Sequence, residues 1–174
     1  MKKLIVLFLF VSLTNSVMAQ QKIDYDKKLK ELGIELITPA KPFANFVKVV
    51  RTGNLLYLSG DGPARVEGSY ITGKVGVDLT IEQGYEAARR TGISILSTLK
   101  AELGDLNKVK RIVKVLGMVN CPSTFTDQPK VINGFSDLMV AVFGEKGKHA
   151  RSAVGMTSLP MNTAVEIEVI VEIE

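Results

Sequence analysis

The ten residues at the carboxyl terminus alternate between apolar and mostly acidic side chains. The apolar positions are Val165, Ile167, Val169, Val171 and Ile173, and between them stand Glu166, Glu168, Ile170, Glu172 and Glu174. This period of two predicts a β-strand with one buried face and a second face that meets solvent, a cleft or a partner. The chain must therefore build a sheet and bury only one side of this strand.

Two earlier segments carry the periodicity of amphipathic helices. Residues 81–103 place small and apolar side chains three and four positions apart, between a capping box of Thr80 and Gln83 and a terminal Gly104. Residues 129–143 show a similar stripe and also end at a glycine. We predict one helix in each segment, with its apolar side directed at the sheet.

The remaining apolar runs predict further strands. They are residues 46–50, 55–58, 109–119 and 152–157, with a short edge strand expected around Tyr70 and Ile71. A polar stretch, residues 20–33, predicts a short helix that extends the domain without joining its core. The order β-β-α-β-α-β-β favours an α+β fold, in which a mixed sheet carries two main helices on one face.

The amino terminus has the composition of a secretory leader. Lys2 and Lys3 precede an apolar run that is too short for the roughly twenty residues of a membrane-spanning helix, and Ala19 completes a cleavage motif. We predict a signal peptide over residues 1–19 and an exported, periplasmic protein with no membrane attachment after processing. A helical extension at 20–33 and one domain at 34–174 would follow.

Cysteine and histidine each occur once, as Cys121 and His149. A zinc cage, a Cys–His pair or a Ser–His–Asp triad would each lack most of its members, so zinc, thiol and triad chemistry are not expected. Cys121 is typical of an inert buried thiol, and His149 of a surface side chain. Lys2 and Lys3 supply two of the net +4 charges, so nucleic acid is not an expected partner of the processed chain.

Two charged residues near the carboxyl terminus are candidates for chemistry. Arg151 follows a basic loop, residues 144–148, and its forked guanidinium suits a carboxylate, although a solvated surface arginine is the plain alternative. Glu166 comes fifteen residues later and would serve either as a general acid and base or as one of four glutamates on an outward face. Spacing alone leaves both alternatives open.

Several motifs together resemble the RidA/YjgF family of reactive-intermediate deaminases. The run from Ala150 to Gly155, followed by Leu159-Pro160 and Val165-Glu166-Ile167-Glu168, is similar to the family's carboxy-terminal signature. Residues 53–60 resemble its early strand and Ser-Gly turn, and residues 131–133 resemble the asparagine of its second helix. The resemblance covers residues 34–174 and is closest to a longer branch labelled endoribonuclease L-PSP-like, in which the stretches at 32–36 and 127–130 recur.

The resemblance implies a chorismate-mutase-like fold and a homotrimer whose sheets form a central barrel, with three ligand clefts between subunits. In such a cleft Arg151 matches the arginine that binds the substrate carboxylate, and Glu166 matches the glutamate that positions water. The other implied substrate-binding positions are Phe46, Ser59, Gly60 and Asn133.

The activity implied by the resemblance is hydrolytic deamination of small 2-imino or enamine acids to 2-oxo acids and ammonia, without metal or cofactor. Three positions depart from the family's pattern. Ala153 replaces a frequent cysteine, and Phe46 replaces a frequent tyrosine and so lacks its hydroxyl. Asp61 stands where glutamine is frequent, and its negative charge would disfavour an acidic substrate unless Arg151 offsets it.

Two alternatives to a deaminase remain. The branch label suggests an endoribonuclease, for which Lys146, Lys148, His149 and Arg151 would supply a basic surface, although the low charge and the absence of tryptophan argue against RNA binding. The other is a non-catalytic trimer that binds a small carboxylate or a partner. Predicted export favours this second alternative, because it separates the chain from cytoplasmic pyridoxal-phosphate enzymes that generate imines.

Overall fold

The computed structural model describes residues 22–42 and 44–174. The signal peptide predicted for residues 1–19 lies outside this part of the chain, so export stays a prediction. The described residues form a five-stranded sheet with three α-helices, as α+β patterning predicts.

The sheet is mixed and has the strand order β1-β2-β5-β3-β4. Strands β3 and β4 are parallel, and all other neighbours are antiparallel. The strands are β1 (Val49–Thr52), β2 (Leu55–Asp61), β3 (Val109–Asn120), β4 (Ala150–Met156) and β5 (Val165–Ile173), and the helices are α1 (Tyr25–Glu31), α2 (Ile81–Leu103) and α3 (Gln128–Phe143). Helix α3 makes the crossover that a parallel pair requires.

Strand β5 lies at the centre of the sheet, and its two faces differ as predicted. Val165, Ile167 and Val171 are fully buried, whereas Glu166 is half-buried and Glu168 is exposed. Helices α2 and α3 pack against the side that carries the buried residues. The alternation confines the glutamates to the opposite side, called here the open face.

The open face is left uncovered by both long helices. Val50, Tyr57, Val154 and Met156 are the large apolar side chains exposed there. Cross-strand pairing aligns Val50 with Tyr57 and Tyr57 with Ile170, so these side chains form a row across three strands.

The long helices begin, end and pack as their sequences predict. Thr80 Oγ1 accepts from the Gln83 amide at 3.2 Å, Gln83 Oε1 accepts from the Thr80 amide at 2.8 Å, and Gly104 ends α2 at φ 72°. A β-carbon at Gly134 of α3 would overlap the carbonyl oxygen of Tyr85 in α2. The two helices therefore approach backbone to backbone, which only glycine allows.

Helix α1 is part of the core, contrary to the prediction that this helix only extends the domain. Tyr25 and Leu29 are 4% and 3% exposed, and the Tyr25 ring lies 5.4 Å from the ring of Phe143. The sequence shows few apolar residues here, but their spacing of four places them on one side of the helix. This apolar side packs α1 against the core.

Two strand predictions were wrong in extent. Tyr70 and Ile71 form no strand, and the nearby pairing is limited to the isolated bridges Ala64–Tyr70 and Thr72–Thr163. Strand β1 begins at Val49 rather than Phe46, so Phe46 lies in the loop before it. Among the described residues, no helix has the length and apolar character needed to cross a membrane.

Candidate functional site

A cleft of about 360 Å³ opens where β2 ends and β5 begins. Four of the six predicted site residues line it, namely Phe46, Ser59, Gly60 and Glu166. Strand β2 and the start of β5 are adjacent in the sheet, which is why residues more than a hundred positions apart meet here. These four residues were predicted from the resemblance to a family. The structure shows that they lie together in one cleft.

Gly60 and Glu166 are in direct apposition. A β-carbon at Gly60 would overlap Glu166 Oε1 and lie within 3.1 Å of its Cγ. Any larger residue would therefore displace the Glu166 side chain. Next to it, the Ser59 hydroxyl donates to the Val47 carbonyl at 2.7 Å, which ties β2 to the loop that carries Phe46.

The environment of Glu166 favours its protonated form. Burial raises the pKa of this carboxyl above its usual value, and the negative charges of Glu168 and Asp61 raise it further. Such a group gives up and regains a proton more readily near neutral pH than an exposed glutamate does.

An ion pair between Lys48 and Asp61 forms part of the cleft wall. Lys48 Nζ lies 3.2 Å from Asp61 Oδ2, and the two side chains are 21% and 10% exposed. Burial raises the pKa of Asp61, while Lys48 and the Gly62 amide oppose that shift. The extra negative charge expected at Asp61 is therefore matched within the chain, and its offset does not depend on Arg151.

Sequence reasoning missed the role of Lys48. The lysine occupies the loop before β1, 13 residues before Asp61, and no motif in the surrounding sequence identifies it. The signal lay in Asp61 itself, because a charged residue at the end of an apolar strand needs a partner when it is buried.

Another wall of the cleft is a turn held in an uncommon conformation. Met161 and Asn162 have φ of 54° and 55°, a region that non-glycine residues seldom adopt. Buried Asn120 donates to Asn162 Oδ1 at 3.0 Å and to the Thr163 carbonyl at 3.2 Å. Lys74 in turn donates to Asn120 Oδ1 at 2.8 Å. These bonds fix the turn from beneath.

Arg151 and Asn133, the remaining two predicted residues, meet elsewhere in the chain. Arg151 Nη1 donates to Asn133 Oδ1 at 2.9 Å and to Ser136 Oγ at 3.0 Å. Both acceptors are on α3, so the Arg151 side chain lies on the helix-covered side of edge strand β4. Ser136 was not among the predicted site residues, and its position three residues after Asn133 on the helix was the available signal.

His149 is half-buried, although a surface position was expected for it. Its ring contacts Ser136 and the Gly147 carbonyl and lies edge-on to Phe135 at 5.9 Å. Burial lowers the pKa of His149, and the positive charge of Arg151 lowers it further, while the Gly147 carbonyl opposes the shift. The imidazole is therefore neutral at neutral pH.

Cys121 is buried beside Gln128. A buried position was predicted for this thiol. Within residues 22–42 and 44–174, no group of three or more His, Cys, Asp or Glu side chains is arranged to hold a metal ion.

The six candidates thus form two sets in one chain. One surrounds Glu166 at the end of β2, and the other surrounds Arg151 at the opposite edge of the sheet. Glu166 lies on the open face, and Arg151 on the helix side. The fold of a single chain does not bring them together.

Known proteins are similar to this chain over most of their own length. Protein TCP17 of Trypanosoma cruzi is 44% identical over 83% of this chain and 91% of its own. The structure of Atu1372 from Agrobacterium tumefaciens, a protein of unknown function, is 44% identical with a TM-score of 0.81 over 86% of this chain and 92% of that one. A Shewanella oneidensis protein described as a "putative endoribonuclease" is 29% identical with a TM-score of 0.82 over 86% of this chain and 99% of that one.

The family description "YjgF/chorismate mutase-like, putative endoribonuclease" matches residues 26–173. That match includes every strand and all but the first residue of α1, and both sets of candidate residues fall within it. The chain belongs to the YjgF/chorismate-mutase-like family.

Proposed function

We propose that the protein hydrolyses small 2-imino or enamine acids to 2-oxo acids and ammonia, in clefts formed between copies of the chain. The observation that carries the proposal is the division of the candidate residues into a set around Glu166 and a set around Arg151. The first set offers proton transfer, and the second offers an anchor for a carboxylate. Two copies that each contribute one set supply both functions at one cleft.

The side chains of the open face support assembly through that face. Val50, Tyr57, Val154 and Met156 are 38–51% exposed. Exposed apolar side chains on one face of a sheet favour an interaction surface. A ring of three copies, which the resemblance to the RidA/YjgF family implies, would bury this surface and form three equivalent clefts.

In the proposed reaction, Arg151 binds the substrate carboxylate through its forked guanidinium and so holds the imine carbon near Glu166. Glu166 takes a proton from water as the water oxygen bonds to that carbon, and the C=N π electrons move to nitrogen, which receives a proton. The product of this step is a carbinolamine. A second proton then passes from its hydroxyl to nitrogen, the C–N bond breaks with its electrons on nitrogen, and the oxygen forms the new C=O bond.

The environment of Glu166 supports its part in both proton transfers. Its raised pKa brings the carboxyl closer to the pH at which the reaction would run. General acid–base catalysis by such a group contributes about 10² to 10⁴ in rate. The substrate carbon is already electrophilic, so positioning and proton transfer are the main requirements on the protein.

The direct test is release of 2-oxo acid from 2-iminobutanoate and 2-iminopropanoate generated in situ by an amino-acid oxidase. We expect the wild-type protein to accelerate release, and Arg151→Ala and Glu166→Gln each to lose at least about a hundredfold of the acceleration. Absence of acceleration by folded wild-type protein would reject deaminase activity on these substrates.

Two matched variants control for charge and location. Glu172→Gln removes a glutamate on the same strand and the same face as Glu166, where it pairs with Lys110 away from the cleft. Arg51→Ala removes an exposed arginine from β1 that pairs with buried Leu56 and so lies on the face opposite the open one. Both variants should retain wild-type rates.

The same experiment separates the two alternatives. Binding of 2-oxo acids without turnover, lost in Arg151→Ala, would favour a non-catalytic carboxylate-binding protein. Against an endoribonuclease stands the state of His149, because both ring nitrogens already have hydrogen-bond partners and neither is presented as a base. RNA cleavage that persists in His149→Ala after extensive purification would identify a contaminant.

A further inference from the structure

A chain of hydrogen bonds connects Arg151 with the turn that precedes β4. Arg151 Nη1 lies 3.0 Å from Ser136 Oγ, which lies 3.1 Å from His149 Nε2. At the far side of the ring, His149 Nδ1 lies 2.7 Å from the Gly147 carbonyl oxygen. The guanidinium is thus linked through a hydroxyl and an imidazole to the backbone.

The direction of each hydrogen bond follows from the two end groups. A guanidinium only donates, and a carbonyl oxygen only accepts. His149 therefore carries its proton on Nδ1, and in the neutral ring Nε2 accepts the Ser136 hydroxyl proton. The lone pairs of Ser136 Oγ are then free to accept from Arg151.

The turn that holds the imidazole is itself held against α3. A β-carbon at Gly147 would overlap the Met139 carbonyl oxygen, so only glycine permits this close approach. Phe135, also on α3, meets the ring edge-on with an angle of 68° between the ring planes. The imidazole is therefore held on one side by the turn and on another by the helix.

Protonation of His149 would reverse one bond in the chain. The imidazolium donates from both nitrogens, so Ser136 Oγ would have to accept from Nε2 and from Arg151 at once, and two cations would stand on either side of one hydroxyl. Burial and the charge of Arg151 oppose this protonation. The other charged groups on the elements packed around His149 all have partners of their own. Asp137 accepts from Tyr85, and Glu145 pairs with Lys148. Lys146 donates to the Val109 carbonyl, and Lys114 donates to Ser152.

We propose that His149 is a positioning residue for carboxylate recognition, which in its neutral form orients Ser136 and thereby holds the Arg151 guanidinium ready for the substrate carboxylate. The inference rests on the proposed function only for the role of Arg151 as the anchor. His149 touches neither the substrate nor the reacting carbon, and the water-activating step at Glu166 proceeds without it. Loss of neutral His149 therefore weakens the binding of carboxylates and leaves the rate of the bound complex nearly unchanged.

The ring state can be observed directly, since His149 is the single histidine of the sequence. In uniformly ¹⁵N-labelled full-length protein, long-range ¹H–¹⁵N spectra give one set of imidazole signals without assignment. We expect the Nδ1–H tautomer at neutral pH, and a titration midpoint below that of free histidine. A ring that carries its proton on Nε2, or one that is charged at neutral pH, would overturn the proposal.

Binding of 2-oxobutanoate, measured by calorimetry, tests the consequence without any need for turnover. Ser136→Ala and His149→Leu should each raise the dissociation constant about tenfold at neutral pH, whereas kcat changes by less than about twofold where turnover is present. Ser136→Thr keeps the hydroxyl, and His149→Gln offers an acceptor that does not titrate. Each of these single variants should bind 2-oxobutanoate about as tightly as wild type. Wild-type binding should weaken as the pH falls through the lowered pKa of His149, and His149→Gln should lose that dependence.

Two controls make the result specific. Lys148→Ala removes an exposed positive charge next to His149 and should leave binding unchanged. The amide 2-oxobutanamide, which lacks the carboxylate, should bind equally to wild type and variants. If folded Ser136→Ala and His149→Leu bind 2-oxobutanoate as tightly as wild type, the inference is overturned even if the protein is a deaminase. If both variants bind it more weakly but the wild-type protein shows no turnover, the inference is supported and the deaminase proposal fails.

Discussion

Arg151 and Glu166 project from opposite faces of one β-sheet. Arg151 pairs in register with Val115 on the helix-covered side and contacts α3, whereas Glu166 lies between the buried Val165 and Ile167 and so points to the open face. A sheet cannot bring side chains from its two faces to a common point within one chain. The proposed site, which uses both residues, would therefore take them from two copies.

Subunit mixing tests this division. When Arg151→Ala and Glu166→Gln proteins are unfolded together in equal amounts and reassembled, a native cleft forms wherever an intact Arg151 meets an intact Glu166. Random assembly into a ring gives about a quarter of the clefts this composition, so about a quarter of wild-type activity should return. Each protein reassembled alone is the control. If the mixture stays as inactive as its parents, the cleft lies within one chain.

The open face should determine the oligomeric state. Leu116 lies on this face, opposite Glu168 on β5 and Ser152 on β4. Leu116→Glu places a second carboxylate beside Glu168 in the proposed interface, where burial of an unpaired charge is costly. We expect sedimentation to show trimers for wild type and monomers for the variant, with secondary structure retained. Val140→Glu, at an exposed position of helix α3, is the surface control. A trimeric Leu116→Glu protein would place the interface elsewhere.

Gly60→Ala should displace Glu166. The new methyl group would overlap Glu166 Oε1, so the side chain must rotate away or the strands must separate. We expect a drop in kcat of at least about tenfold, and a loss of about 1–3 kcal/mol in the free energy of unfolding, measured by urea denaturation. Adding Glu166→Ala to Gly60→Ala removes the overlap and should recover much of the stability. A purely additive double variant would show that the two residues do not interact.

The Lys48–Asp61 pair makes a pH-dependent contribution to stability. Burial already raises the pKa of Asp61 above 3.8, and Lys48 opposes the shift, so Lys48→Met raises that pKa further. As the pH rises above 3.8, the Asp61 carboxyl loses its proton in the unfolded chain before it does so in the folded chain. The free energy of unfolding of Lys48→Met therefore falls as the pH rises.

The expected cost of Lys48→Met is small near pH 4 and about 3 kcal/mol at neutral pH, measured by urea unfolding across that range. Asp61→Asn in the same chain removes the carboxyl and should abolish the pH dependence that the first substitution adds. Parallel curves for wild type and Lys48→Met would mean that the two side chains do not interact in solution.

Glu168 should influence the pH dependence of catalysis through Glu166. If ionised Glu166 accepts the proton of water, kcat/KM falls as the pH drops through its pKa, which burial, Glu168 and Asp61 all raise. Glu168→Gln removes one of these charges, so the acidic limb of the profile should move to lower pH, while the plateau stays the same. Glu172→Gln, farther along the strand, should leave the limb in place. If the acidic limb stays in place in Glu168→Gln, the limb reports the titration of a group other than Glu166.

The elements of the fold were largely predictable because each rests on a local pattern. The period of two in β5, the capping box of α2 and the glycine after α3 each act within a few residues, and all three appear in the structure. The errors came from contacts that local patterns do not contain. The buried residues of helix α1 are Tyr25 and Leu29, which pack against residues far along the chain, and the bridges at Tyr70 depend on distant partners.

Local patterns were sufficient to predict the long helices, most of the strands, the family resemblance and Arg151 and Glu166 as candidates, because motif and periodicity are properties of neighbouring residues. The fold was needed to show that these two side chains lie on opposite faces, that Lys48 neutralises Asp61 and that His149 is linked to Arg151 through Ser136. Strand order and helix packing set which distant side chains come within a few ångströms, and hydrogen bonds and ion pairs act only over that range.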